Sequence, residues 1–203
     1  MAEKNSNNTD PKRLEKHISD VIKGNRTFEN AFQAVSRMIL EDHEIEKVTV
    51  NGRSTYDFKV FRKGKKHIIG MYDEINSFVS FVKDAAEGGS SSEMAFVLIG
   101  EPGNGKTYFV DFLNKAYRDF ISIEKNKRYT FRFINLDKLG GYGKIRFIES
   151  QTYEDPMILA MNLFESKDDN INWIQKLGAK DKQIEKLYRN FRPLGACSSY
   201  IWN

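Results

Sequence analysis

The sequence contains a single cysteine, Cys197, among 203 residues, so no disulfide can form within the chain. Its longest apolar run, residues 94–100, is far shorter than the roughly 20 residues that a membrane-spanning helix needs. The first ten residues are polar and contain no apolar segment of the kind found in secretion signals. These absences exclude a disulfide-stabilised scaffold and predict a soluble, cytoplasmic protein without a membrane partner.

Most of the chain also has no excess of positive or negative charge. Residues 1–70 carry 14 Lys and Arg against 10 Asp and Glu, whereas residues 71–203 carry 18 of each kind. The densest basic run, Arg62 to His67, is interpreted as a solvated loop. Because the larger part of the chain is neutral, a dedicated DNA-binding face is not expected, and nucleic acid is an unlikely partner.

Apolar residues are abundant enough for a folded domain. They make up 40% of the sequence and include 15 Phe and 9 Tyr, which excludes wholesale disorder. Residues 1–65 are predicted to form a mostly helical N-terminal extension: a helix from Asp10-Pro11 to Gly24, a second from about Thr27, and a hairpin at Asn51-Gly52.

The pattern changes after Gly70. Apolar residues at three- and four-residue spacing predict a helix over residues 72–87, and the run Met94–Ile99 predicts a strand buried on both faces. A glycine-rich turn, an amphipathic helix and a second strand over Arg128–Leu136 follow. This order predicts a βαβ unit in a parallel sheet. Three further helices are predicted after Asp155-Pro156, and the apolar end Tyr200–Asn203 suggested a chain cut from a longer one.

The most informative segment is Gly100 to Thr107, which fits the phosphate-loop pattern G-x-x-x-x-G-K-[ST] in full. Gly103 and Gly105 permit positive φ angles, so that backbone N–H groups can turn toward an anion. Lys106 can reach the β- and γ-phosphates, and the Thr107 hydroxyl suits Mg²⁺. The alternative is a glycine turn that merely links a strand to a helix.

Hydrolysis would need an acidic residue near the end of a second strand. Asp137 and Glu149 are weak candidates for this catalytic position, since each is more readily explained as a polar residue at a strand end. His17, His43 and His67 have no metal-ligand spacing around them, and Cys197 has no histidine nearby in sequence. These four residues are interpreted as packing or surface residues.

The phosphate loop is similar to the G-x-P-G-x-G-K-T form of AAA-type ATPases. Its surroundings resemble the N-terminal AAA domain of PrkA-type serine protein kinases, over about residue 10 to the end of the chain. The segments that carry the resemblance are Ile68-Ile69-Gly70-Met71, Ala85-Ala86-Glu87-Gly88, Ile148 to Pro156, and Arg192-Pro193-Leu194-Gly195-Ala196.

The resemblance implies a three-layer AAA-type P-loop NTPase domain with a parallel sheet, over residues 66–203. It implies that Ile68, Ile69 and Gly70 pack on adenine, that a Walker-B-like acid and the kinase region lie past residue 203, and that the full-length protein phosphorylates a protein substrate. The predicted cofactors are ATP and Mg²⁺, with Thr107 as the metal ligand. The predicted cofactor-binding residues are Ile69, Gly70, Gly100, Pro102, Gly103, Asn104, Gly105, Lys106, Thr107 and Tyr108.

Two other functions stay open at this point. One is a non-catalytic interaction module that changes conformation with nucleotide. The other is a nucleic-acid-associated AAA loader. A homo-oligomer is possible in each case.

Overall fold

The computed structural model describes residues 13–41, 44–62, 67–139 and 141–190. Helix accounts for 53% and strand for 11% of the structure. The chain divides into two compact units, the central unit Glu29–Asn126 and an outer unit that combines the N-terminal part up to Phe28 with the chain from Lys127 onward. The predicted boundary between residues 65 and 66 lies inside the central unit and stays a prediction about sequence organisation.

The central unit begins with helix α2, Ala31–Leu40, which starts at a capping box. The Asn30 side chain accepts a hydrogen bond from the Gln33 backbone N–H, and the Gln33 side chain accepts one from the Asn30 N–H. Strands β1, Ile45–Val50, and β2, Arg53–Phe58, then form an antiparallel hairpin. Asn51 and Gly52 both have positive φ at its turn, as the sequence predicted.

Two long helices complete the central unit. They are α3, Tyr72–Ala86, and α4, Lys106–Ser122, both close to their predicted positions. Short 3₁₀ helices lie at Lys59–Arg62, Ser90–Glu93 and Glu124–Asn126. The core of this unit is rich in aromatic side chains because Phe61, Phe78 and Phe109 pack together with aliphatic residues of α2 and α3.

Asp84 closes the end of α3 and holds the turn that follows it. Its carboxylate accepts a hydrogen bond from the Ser91 backbone N–H at 2.9 Å. Hydrogen bonds from Ser91 lower the pKa of the Asp84 carboxyl below its ordinary value. This turn directs the chain from α3 into residues 94–100.

The outer unit packs four helices around its own apolar core. They are α1, Leu14–Ile22; α5, Pro156–Met161; α6, Lys167–Lys176; and α7, Asp181–Asn190. Ile18, Met157 and Ile174 are fully buried at the centre. The Asp155 side chain accepts a hydrogen bond from the Met157 N–H, which caps α5 as the Asp-Pro pair predicted.

The predicted α/β fold with a parallel sheet is wrong. The described residues contain only two small antiparallel sheets, β1–β2 and a pair formed by β3, Arg132–Ile134, and β4, Phe147–Glu149. The predicted strand over Arg128–Leu136 is reduced to β3, which ends at Ile134 because Asn135 takes a left-handed conformation there. With no parallel sheet, the three-layer AAA-type architecture is not present in the part of the chain that the structure describes.

The predicted strand Met94–Ile99 is an irregular segment in the structure. Phe96 and Leu98 pack against the central core, whereas Val97 and Ile99 are 68% and 91% exposed. A continuous apolar run predicts burial on both faces, but only alternate side chains are covered here. Within the described ranges, no helix has the length and apolar character needed to cross a bilayer.

Arg37 contacts residues at both ends of the central unit. Its guanidinium contacts the Glu29 carboxylate at 2.6 and 3.0 Å, donates to Asn126 Oδ1 at 3.0 Å, and lies over the Phe120 ring. Arg37→Ala should lower the free energy of unfolding by about 3 kcal/mol in urea titrations, because it removes the cation that contacts the mostly buried Glu29 carboxylate.

Lys83→Ala is the control, since it breaks an exposed contact of 4.0 Å to Glu87. It should cost less than about 1 kcal/mol. Equal losses for the two variants would show that Arg37 does not stabilise the unit in this way.

Candidate functional site

The glycine-rich loop Gly100–Gly105 lies on the surface of the central unit, directly before α4. Gly103 has φ +89° and Gly105 has φ +76°, both in the left-handed region. A side chain at either position would be strained, so the glycines are needed for this course of the backbone. The sequence prediction of positive φ at these two residues is confirmed.

The first turn of α4 presents uncapped backbone N–H groups. Gly105 is the N-cap residue and has no side chain to accept a hydrogen bond, and no acidic residue lies in the first turn. The Phe109 N–H donates to the Gly105 carbonyl at 2.8 Å. The N–H groups of Lys106, Thr107 and Tyr108 precede this first intrahelical bond, and together with the helix dipole they favour an anion.

The Lys106 side chain folds back over the loop. Its ammonium group donates to the Gly100 carbonyl at 2.6 Å and to the Glu101 carbonyl at 2.7 Å. Both bonds are exposed to solvent and have neutral carbonyl acceptors. Anionic oxygens could replace these acceptors, since they would add the attraction between opposite charges to the hydrogen bonds of the ammonium group.

Asn104 lies against the beginning of the loop. A Cβ atom at Gly100 would be 3.6 Å from the Asn104 amide nitrogen and 3.7 Å from Lys106 Nζ. The Asn104 N–H also points toward the Glu101 carbonyl at 3.4 Å. Gly100, Asn104 and Lys106 thus form one closed loop, and Pro102 lies at its exposed tip.

The segment around Gly70, which is predicted to pack on adenine, lies next to this loop. Gly70 has φ +72° and Met71 has φ +54°, so two consecutive left-handed residues lead into α3. The Met71 sulfur lies 3.8 Å from the position of a Cβ atom on Gly105. Met71 and Gly105, which are 34 positions apart in sequence, are therefore neighbours.

The two isoleucines before Gly70 have opposite environments. Ile68 is 3% exposed and belongs to the aromatic core, whereas Ile69 is 80% exposed. Only Ile69 therefore offers its side chain to a ligand. Met71 is a site residue that sequence reasoning did not select, although it directly follows the Gly70 that was selected.

The remaining predicted ligand groups lie on the first turn of α4. Thr107 and Tyr108 are both exposed. No three His, Cys, Asp or Glu side chains converge into a metal cluster in the described ranges. A hydroxyl on an exposed helix turn beside Lys106 fits a Mg²⁺ ion that takes its other ligands from phosphates and water, as this ion prefers.

The weak catalytic candidates are not part of the same unit as the loop. Asp137 is exposed in a short 3₁₀ helix, Leu136–Lys138, and Glu149 is exposed at the end of β4. Glu149 lies opposite Arg132 in an antiparallel ladder, with 3.8 Å between the charged groups. Both acids belong to the outer unit and the loop to the central unit, so the structure does not unite them in one compact body.

The histidine interpretations can be compared with the structure in part. His17 is buried, with Nε2 3.4 Å from the Asp155 carboxylate and its ring edge against Tyr129, which fits a packing role. His67 is exposed. His43 and Cys197 lie outside the described residues, as do Asp10-Pro11, Lys63–Lys66, the segment from Arg192 to Ala196 and the apolar end Tyr200–Asn203.

Comparisons with protein-family models, with curated proteins and with solved structures find no match.

The loop geometry yields a prediction about two glycines. Gly105→Ala should lower the free energy of unfolding by about 1–2 kcal/mol, because alanine is strained at φ +76°. Gly100→Ala is the matched control, since its Cβ would make only ordinary contacts at 3.6 Å or more. The control should change the free energy by less than about 0.5 kcal/mol in urea titrations. Equal stability of both variants would mean that the loop relaxes freely around Gly105.

Proposed function

We propose that this chain binds Mg–ATP through residues 100–108 and works in the cytoplasm as the nucleotide-binding module of a PrkA-type serine protein kinase. The observation that carries the proposal is the Lys106 ammonium group, which is held over an exposed glycine loop at an uncapped helix end. A cation, free N–H groups and a helix dipole converge at one point there. Together they match the chemistry of a polyphosphate.

The phosphates would be bound mainly by the backbone. With no side chains at Gly103 and Gly105, oxygen atoms can approach the N–H groups of the loop closely. Lys106 would exchange its two carbonyl acceptors for phosphate oxygens, and Asn104 would keep the loop closed behind it. Mg²⁺, held by Thr107 and the phosphates, would neutralise negative charge.

The nucleoside end is assigned to the segment before α3. Ile69 offers an exposed apolar side chain, and Gly70 leaves space for a flat ring beside it. Met71 lies against Gly105, which sets the segment at the edge of the phosphate loop. A purine base could therefore pack on Ile69 while the phosphates reach the first turn of α4.

Transfer of the phosphoryl group needs more than this loop provides. In-line transfer depends on a residue that positions the nucleophile and on cations that stabilise the developing charge. The central unit supplies Lys106, while Asp137 and Glu149 belong to the other unit. We therefore assign binding to this loop and leave the catalytic acid unassigned. A nucleotide-switched interaction module, with or without oligomerisation, remains the alternative, and sustained phosphate release would argue against it.

The decisive experiment measures Mg–ATP binding to the Lys106→Ala variant by calorimetry. The variant should bind about 10- to 100-fold more weakly, because it loses hydrogen bonds between a cation and phosphate oxygens. Lys115→Ala, an exposed lysine further along the same helix, is the control and should bind as the wild type does. Identical affinity for all three proteins would contradict the proposal.

Metal dependence gives a second test. Thr107→Ala should lose most of the increase in ATP affinity that Mg²⁺ produces, while its affinity without metal stays close to that of the wild type. Thr107→Ser keeps the hydroxyl and should keep the Mg²⁺ response. If Thr107→Ala responds to Mg²⁺ as strongly as the wild type, the ion is held by other residues.

A further inference from the structure

The antiparallel pair β3–β4 and the segment between its strands expose apolar side chains that a core would normally cover. Ile134 is 58% and Phe147 53% exposed, and four more large apolar residues of this region are exposed: Leu139, Tyr142, Ile145 and Ile148. We call residues 131–139 and 141–149 the basic ribbon. Exposed apolar groups concentrated in this way mark an interaction surface.

The strand register places a ring beside a cation on one face of the ribbon. Arg132 is opposite Glu149 and Ile134 is opposite Phe147, and residues directly opposite each other share a face. The Arg132 guanidinium carbon lies over the Phe147 ring, 5.8 Å from its centre. The result is an exposed aromatic ring with a cation over one of its faces.

The ribbon carries more cations than acids. It contains four Lys and Arg against two Asp and Glu, a net charge of +2 within the otherwise neutral residues 71–203. One of the two acids, Glu149, already faces Arg132 at 3.8 Å. Lys138, Lys144 and Arg146 are exposed, and the Leu136 N–H donates to the Arg146 carbonyl at 3.2 Å, which sets Arg146 beside the end of β3.

The other hairpin of the chain differs from the basic ribbon, because acidic side chains offset more of its positive charge. Residues 44–62, which contain β1 and β2, carry four Lys and Arg against three Asp and Glu. Two of these cations, Lys59 and Arg62, contact Glu46 and Asp57 at 2.7 and 2.8 Å. The charge on that hairpin is largely neutralised by its own side chains.

We propose that the basic ribbon binds single-stranded nucleic acid. Lys138, Lys144 and Arg146 would contact phosphates, and unpaired bases would stack on the exposed Phe147 and Tyr142 rings. An acidic peptide would satisfy the cations but has no flat groups for the rings. A duplex keeps its bases stacked inside and would leave the rings uncovered. This function is independent of the nucleotide loop, which lies in the other unit.

The test measures binding of the whole chain to a fluorescein-labelled oligothymidylate of about 20 nucleotides by fluorescence anisotropy. With three or four phosphate contacts, the logarithm of the affinity should fall with the logarithm of the salt concentration with a slope of about −2 to −3. A duplex of the same length should bind more weakly.

Two pairs of matched variants identify the surface. The double variant Lys144→Gln/Arg146→Gln should bind at least about 10-fold more weakly, and Phe147→Ala about 5- to 100-fold more weakly. Lys47→Gln/Arg53→Gln removes the same charge from the other hairpin, and Tyr56→Ala removes an exposed ring there. Both controls should bind as the wild type does, and circular dichroism should show that every variant is folded.

Other outcomes would overturn the proposal. Equal losses for the two double variants would mean that net charge alone attracts the oligonucleotide. Unchanged binding by folded Phe147→Ala, together with competition by polyglutamate at the same charge concentration, would identify the ribbon as a surface for acidic peptides. No binding at low salt would exclude a nucleic-acid function.

Discussion

The position of the glycine loop Gly100–Gly105 depends on the packing of one side chain, Phe109. This residue is 3% exposed and lies between Phe61, whose ring is stacked at 5.8 Å, and Phe78, whose ring meets it edge-on at 5.2 Å. Fully burying such a ring contributes about 2–3 kcal/mol, and aromatic pairs contribute somewhat more. Because Phe109 is only three residues after Lys106, the core fixes the helix end while the loop before it stays open to solvent.

A second constraint holds the other side of the site. Met71 is a non-glycine residue at φ +54°, a conformation that costs about 1 kcal/mol or more. Its side chain packs against the aromatic core, and its sulfur lies beside Gly105. These tertiary contacts hold the strained backbone in place. The same residue thus joins the start of α3 to the phosphate loop. Strain held by packing in this way is common where a backbone must present a binding surface.

The sequence predicted the parts of this structure that depend on local periodicity and turn chemistry. Apolar spacing located α3 and α4, and the Asn51-Gly52 pair located the hairpin. It could not predict whether Met94–Ile99 is covered on one side or two, because an apolar run looks the same in both cases. The sheet prediction failed at that step. Contacts between distant residues, such as Arg37 with Asn126 and Met71 with Gly105, leave no signal in a single sequence.

The candidate site also combines features that neighbouring residues determine with features that depend on distant ones. Phosphate binding can be predicted from eight consecutive residues because the loop is built from its own glycines, its own lysine and the helix that follows. Catalysis cannot, because it depends on groups brought in from elsewhere in the chain. Asp137 and Glu149 are candidates because each follows a strand predicted for the parallel sheet. Without that sheet the reason for selecting them is gone, and Glu149 instead faces Arg132 across an antiparallel pair. The phosphate binding proposed for the loop does not depend on which residue supplies the acid, since every group invoked for it lies between Gly100 and Tyr108.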